Sequence, residues 1–234
     1  MAEHFNKYDR EMTISGQPSD SPAPIPTREE LYQALVCRHT GAVQRCLSKA
    51  RVAVAGLGGL GSNIAISFAR IGVGHLHLID FDRVDITNLN RQQYFIHQIG
   101  MAKTKALTDI LLDINPYLTI RKDCVQVTRE NVPELFQNDT YICEAFDVPE
   151  NKAMLAEAVL ENFPEKYLIA ASGMAGYGDS NLIRTRKISS HFYLCGDEVT
   201  VSTYGKGLMA PRAALCATHE ANMITRLLLG EEDV

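Results

Sequence analysis

From residue 51 onward, short apolar runs alternate with stretches of helical spacing. The run Arg51-Val52-Ala53-Val54-Ala55 is rich in β-formers and stops at glycines, which predicts a strand. Residues 62–71 place Ile64, Ile66, Phe68 and Ile71 at helical spacing. His75-Leu76-His77-Leu78-Ile79-Asp80 reads as the next strand. Residues 103–115 read as a helix that Asn115-Pro116 ends, because the residue before a proline disfavours the α region. A third strand is expected within residues 118–127, a fourth at 140–146, a helix near 151–162, and a fifth strand at 167–171. Strands alternating with helices predict an α/β fold: a Rossmann-like, doubly wound, mostly parallel sheet covered on both faces.

Either side of this core the pattern changes. After residue 172 come short strand-like pieces at 182–188, 192–195 and 199–203, an irregular β extension. A closing helix is expected over 211–229, with Pro211 in its first turn and Gly230 past its end. Before the core, Thr27 followed by Glu29 and Glu30 marks a helix start, so residues 28–49 form an N-terminal helical segment. Residues 1–27 are rich in proline and serine towards their end and are expected to be a disordered tail. A chain of 234 residues then leaves 28–234 as one medium domain with a real core.

Composition narrows the class. Hydrophobic residues at 46% and charged residues at 22% describe an ordinary soluble globular protein. A net charge of −5 argues against non-specific binding to nucleic acid or to an anionic membrane surface. No apolar run has the length of a membrane span, and the N-terminus lacks a signal-peptide pattern, so a cytoplasmic location is expected. Six cysteines occur with no CxxC pair, so structural zinc is not expected and most of the thiols should fill the core.

The chemistry begins at Gly56-Leu57-Gly58-Gly59-Leu60-Gly61, which matches G-x-G-x-x-G between a predicted strand and a predicted helix. Glycines let backbone approach a phosphate closely, and the helix N-terminus offers N–H groups and a positive dipole. Asp80 ends the second strand, where a carboxylate accepts hydrogen bonds from ribose hydroxyls. These features serve a dinucleotide as well as they serve ATP.

The stretch from Asp80 to Gln92 separates the two ligands, because hydride transfer has no use for its carboxylates, amides and arginine. Arg91 is a fork for phosphate oxygens, and Asn88 is a candidate hydrogen-bond partner for phosphate or ribose. Lys103 opens the next helix and is a candidate to neutralise a triphosphate. Asp147 follows the fourth strand at its carboxyl end and suits Mg²⁺ as an oxygen ligand. The expected ligand is therefore Mg-ATP.

This series of motifs resembles that of the ThiF/MoeB/HesA enzymes, relatives of the ubiquitin-activating enzymes, over about residues 34–230. Glu144-Ala145-Phe146-Asp147, residues 171–177 and residues 207–212 further resemble a compact ThiF-like subgroup linked to thiamine biosynthesis. The resemblance implies that Gly56, Gly58, Gly59 and Gly61 hold the nucleotide, Asp80 its ribose, Arg91 and Lys103 its phosphates, and Asp147 the Mg²⁺. It implies adenylation of the C-terminal glycine carboxylate of a small ubiquitin-like sulfur carrier protein (ThiS-like, ending in Gly-Gly), and a homodimer. The glycine-rich stretch 173–209 is the expected gate for the carrier's tail.

Many members carry two CxxC pairs for zinc, and this chain departs from that. Larger members also use an arginine, often contributed by the partner subunit, from a segment before the first strand. Arg10, Arg38 and Arg45 are the candidates here, with Arg38 favoured by its place in a helical segment. Some relatives use a loop cysteine in sulfur transfer, for which Cys195 is the candidate, against the alternative of a core thiol. Three other functions compete: an ATP-dependent dehydratase acting on a threonylcarbamoyl-modified tRNA adenosine, an NAD(P)-dependent oxidoreductase, and a non-catalytic nucleotide-binding module.

Overall fold

The computed structural model describes residues 24–234. Arg10 and most of the expected tail lie outside the described residues. The first helix, α1 (Arg28–His39), begins where the sequence marks it. Thr27 caps it by accepting from the Glu30 amide at 3.2 Å, while the Glu30 carboxylate accepts from the Thr27 amide at 2.7 Å. Helix α2 (Gly41–Lys49) follows, then β1 (Arg51–Ala55), α3 (Gly61–Ile71) and β2 (His75–Ile79). A long irregular segment leads to α4 (Lys103–Ile114) and β3 (Thr119–Asp123). A one-turn helix α5 (Val132–Leu135), β4 (Tyr141–Glu144), α6 (Pro149–Asn162) and β5 (Tyr167–Ala171) complete the parallel part. The chain closes with β6 (Arg184–Lys187), β7 (Phe192–Gly196) and α7 (Ala210–Leu228).

The strands form one sheet in the order β3-β2-β1-β4-β5-β7-β6, parallel except for β6, which runs antiparallel to β7 at the edge. Alternation along the strands separates two cores. Val52, Val54, Cys143 and Ile169 face α3, α4 and α7, whereas Ala53, Ala55, Ile142 and Leu168 face α5 and α6. Strands buried on both faces explain why β1 and β5 read as continuous apolar runs. The strand order reverses between β1 and β4, and the crevice outside the carboxyl ends of these two strands is where open α/β sheets bind ligands.

One expected strand is not formed. Residues 199–203 make an irregular loop, because the Asp197 carboxylate captures the amides of Val199 and Thr200 at 3.0 and 2.8 Å and so takes donors that a ladder would need. Glu198, in that turn, has φ of 62°.

The core also encloses a carboxyl group that the apolar pattern of α7 hides. Glu220 is fully buried beside Cys143, Cys195 and Cys216, and neither of its oxygens has a partner among the described residues. Burial, reinforced by the neighbouring Glu144, pushes its pKa well above the ordinary 4.5. In the folded state Glu220 therefore keeps its proton after the unfolded chain has lost it. Stability is unpenalised below pH 4.5 and falls as pH rises above it, by on the order of 1.4 kcal/mol per pH unit until the folded group ionises. Glu220→Gln should remove this slope. Its gain in melting temperature over the wild type should widen between pH 5 and pH 8, and thermal melts giving a constant difference would contradict the assignment.

Candidate functional site

The glycine loop is shaped by two close approaches. Gly56 has φ of +90°, and a Cβ there would lie 2.7 Å from the Ala145 carbonyl oxygen. A Cβ on Gly61 would lie 1.8 Å from the Gly56 carbonyl oxygen. These positions therefore need glycine for the turn and for the contact with the end of β4. Gly56, Gly58 and Gly59 line a cleft of about 500 Å³, and the loop leads directly into the N-terminus of α3. Gly61 shapes the loop from beneath, against Gly56.

Asp80 stands at the end of β2 and is buried. It accepts from the amides of Leu57 and Asp82, both at 2.7 Å, so it braces the glycine loop as well as lining the cleft. Lys103, the first residue of α4, is also buried, with Nζ 2.8 Å from Asp82 Oδ2 and 3.8 Å from Asp80 Oδ2. Tyr94 donates its hydroxyl to the Leu57 carbonyl at 2.8 Å. Burial, helped by Asp80 and Asp82, raises the Tyr94 pKa and keeps it a donor.

Arg91 lies along Gly59 and lines the cleft, where its Nη1 donates to Asn90 Oδ1 at 2.9 Å and its buried Nε has no partner among the described residues. The next residue, Gln92, is buried in the same wall and leaves Oε1 unpartnered. Asp147 is exposed at the cleft beyond β4. Behind it, Glu144 holds Lys152 of α6 at 2.9 and 2.8 Å and accepts from the Phe146 amide at 2.7 Å. Burial raises the Glu144 carboxyl while Lys152 pulls it back. The far wall comes from Gly173, Met174 and Ala175, from Glu198 to Ser202, and from Leu208.

The structure therefore brings Gly56, Gly58, Gly59, Asp80, Arg91, Lys103 and Asp147 to one cleft. Two other expectations, Asn88 and Cys195, are corrected. Asn88 does not line the cleft; its Oδ1 accepts from the Asp85 amide at 3.0 Å and caps a short 3-10 turn. Arg38 on α1 and Arg45 on α2 are exposed and lie outside this chain's own cleft, and the role expected of them at a partner subunit's site does not require them to line it. Cys195 is not in a loop: it sits within β7 with no exposed surface, and burial pushes its thiol pKa up, the opposite of an activated thiolate. Gln92 and Lys152 were missed. Gln92 directly follows Arg91 in the sequence, but Lys152 looks like any lysine on a helix until the fold sets it against Glu144.

Among the described residues, no cysteine or histidine lines the cleft, and no group of three or more His, Cys, Asp or Glu side chains is placed to hold a metal by itself. What the cleft offers is a helix N-terminus, three cations (Arg91, Lys103 and Lys152) and four carboxylates; Asp80, Asp82 and Glu198 are already ion-paired, and Asp147 has no ion-pair partner among the described residues. The helix N-terminus and the cations suit a polyanion.

The chain belongs to the ThiF family, whose model matches residues 32–234. It is 33% identical over 186 residues to an adenylyltransferase and sulfurtransferase of Aspergillus terreus, covering 76% of this chain and 37% of that protein. It is 31% identical over 163 residues to the probable adenylyltransferase/sulfurtransferase MoeZ of Mycobacterium tuberculosis, covering 68% of this chain and 38% of that protein. The chain thus spans well under half the length of these two relatives. In fold it is similar to the E. coli tRNA N6-threonylcarbamoyladenosine dehydratase TcdA in complex with ATP, with a TM-score of 0.79 and 20% identity over 88% of this chain and 98% of that one. It is also similar to E. coli MccB with ATP, with a TM-score of 0.59 and 21% identity over 80% of this chain and 57% of that one.

Lys103 is the cation held deepest in the cleft, so its removal should be felt at the nucleotide. Lys103→Met should weaken ATP binding by roughly 10- to 100-fold, about 1.4–2.8 kcal/mol. Isothermal titration of the folded variant checks this, and wild-type affinity would remove Lys103 from the phosphate site.

Proposed function

We propose that the chain is an ATP-dependent adenylyltransferase that activates the C-terminal glycine carboxylate of a small ubiquitin-like sulfur carrier protein. One observation carries this reading: the cleft gathers a helix N-terminus, Arg91, Lys103 and the carboxylate of Asp147, which has no ion-pair partner among the described residues, and no thiol or imidazole of the described residues lines it. The names of the relatives, adenylyltransferases with sulfurtransferase activity, support it. On this reading residues 28–234 act as one adenylation domain that works as a homodimer in the cytoplasm. The preferred carrier is ThiS-like, in the supply of sulfur for thiamine.

Chemistry of this kind needs little beyond alignment. The attacking carboxylate is ionised at neutral pH, so no general base is required. Its oxygen forms a bond to the α-phosphorus, the bond from that phosphorus to the bridging oxygen of the β-phosphate breaks, and pyrophosphate leaves with the electron pair. Gly58, Gly59 and the start of α3 hold the phosphates, Asp80 accepts from the ribose, and Arg91 and Lys103 take up charge. Mg²⁺ bound to nucleotides is often held by one or two carboxylates and keeps several waters, and the carboxylate of Asp147 fits that donor set. When bound, the ion would neutralise the phosphate oxygens.

A second reading keeps the first half of this chemistry. Similarity to TcdA over nearly its whole length favours activation of a carboxylate on a modified tRNA adenosine. The net charge of −5 weighs against a tRNA partner. The two readings part on substrate: exchange of pyrophosphate into ATP should depend on a Gly-Gly-ended carrier and not on modified tRNA. Asp147→Ala should reduce that exchange to background, and wild-type-like exchange by this variant would sink the assignment.

A further inference from the structure

Behind the wall made by residues 172–175 and 198–202 lies a buried ion pair, neither member of which lines the cleft. Arg212, in the first turn of α7, donates from Nη2 to Asp197 Oδ2 at 2.5 Å and from Nη1 to the Asp179 carbonyl at 2.8 Å. Both side chains are almost fully buried, at 4% and 2% exposure. The other oxygen of Asp197 holds the loop, accepting from the amides of Val199 and Thr200 and from the Thr200 hydroxyl. The main chain of the same turn is pinned to the end of β5: the Asp197 amide donates to the Gly173 carbonyl and the Glu198 amide to the Ser172 carbonyl, each at 2.9 Å.

The surrounding backbone leaves room for this pair. A Cβ on Gly173 would lie 2.2 Å from Asp197 Oδ1, and a Cβ on Gly178 would lie 3.2 Å from Arg212 Nη1. Glycine at these two positions is what lets the carboxylate and the guanidinium meet. Three cleft-lining pieces converge on the pair: residues 172–175, residues 198–202 and Ala213 of α7. Residues 172–175 and 198–202 make one wall of the cleft, while Ala213 lies against the glycine loop, 3.6 Å from where a Cβ on Gly59 would be.

We infer that Arg212 is a positioning residue for the acceptor half of the cleft, acting through Asp197 to hold the loop of residues 198–202 in place. A planar fork is required for this, because one guanidinium must reach both the carboxylate and the Asp179 carbonyl, a span that a lysine ammonium covers poorly. The pair fixes where the loop runs, which is the best-attested use of a buried ion pair, and adds little to nucleotide affinity. This inference rests on the reading of the cleft as an adenylation site for a carrier's C-terminus.

The test compares wild type, Arg212→Gln and Arg212→Lys by three measurements: ATP affinity by titration, amide hydrogen exchange at residues 198–206, and pyrophosphate exchange driven by a panel of Gly-Gly-ended carriers. In Arg212→Gln, ATP affinity should stay within about threefold of wild type, exchange protection should drop at 198–206 more than elsewhere, and the KM for the carrier should rise at least tenfold. Arg212→Lys should fall between the two, and it serves alone if the glutamine variant does not fold. Unchanged protection at 198–206, or a loss of ATP affinity in step with the loss of carrier-driven exchange, would overturn the inference. Wild-type chain that drives no exchange with any carrier counts against the adenylation reading instead, and the hydrogen-exchange comparison then decides by itself whether Arg212 holds the loop.

Discussion

The cleft exists because two backbone segments touch. Gly56 meets the carbonyl of Ala145 and Gly61 meets the carbonyl of Gly56, at separations that no side chain permits. That contact joins the exit of β1 to the exit of β4, where the strand order reverses and helices α3 and α6 diverge to opposite faces. The amide of Leu57 is then free to bind the Asp80 carboxylate, so one constraint sets both the glycine turn and the orientation of its neighbour at the end of β2. A larger residue at either glycine would separate the strands that carry everything else.

Charge is arranged around this contact with unequal freedom. Lys103 and Asp80 are buried and already paired with protein, so a ligand entering the cleft meets a charge pattern fixed before it arrives. Such preorganisation is what catalysis by alignment requires. Arg91 and Gln92 keep buried polar atoms without a partner among the described residues, a cost that a folded chain avoids unless something else completes the bonding. Asp147 remains exposed. The cleft thus has a rigid floor, an incompletely bonded side and an open carboxylate at its mouth.

The opposite wall is built by different means. It has no regular ladder, and its course depends on side chains that take over backbone amides, chiefly Asp197, with Arg212 neutralising the carboxylate in the interior. Local hydrogen bonding by an aspartate overrides the β-propensity of Val199, Thr200 and Val201. This is why the short apolar stretch there reads as a strand and folds as a loop.

The sequence by itself determined the parallel core, the glycine turn and the members of the charged series, because each is written in local terms: continuous apolar runs for strands buried on both faces, glycines between strand and helix, and charges just past strand ends. It also marked the start of α1 through Thr27 and Glu30. Only the tertiary structure decided which charged residues share a surface. Asn88 is spent on capping a turn, Arg38 and Arg45 stay on exposed helices, and Cys195 is enclosed in β7, while Lys152 and Gln92 turn inward to the cleft. The physical reason is that a side chain's partner is set by packing between elements far apart in the chain. Asp197 meets Arg212 and Glu144 meets Lys152 only after the sheet is assembled, and no spacing along the sequence records that meeting.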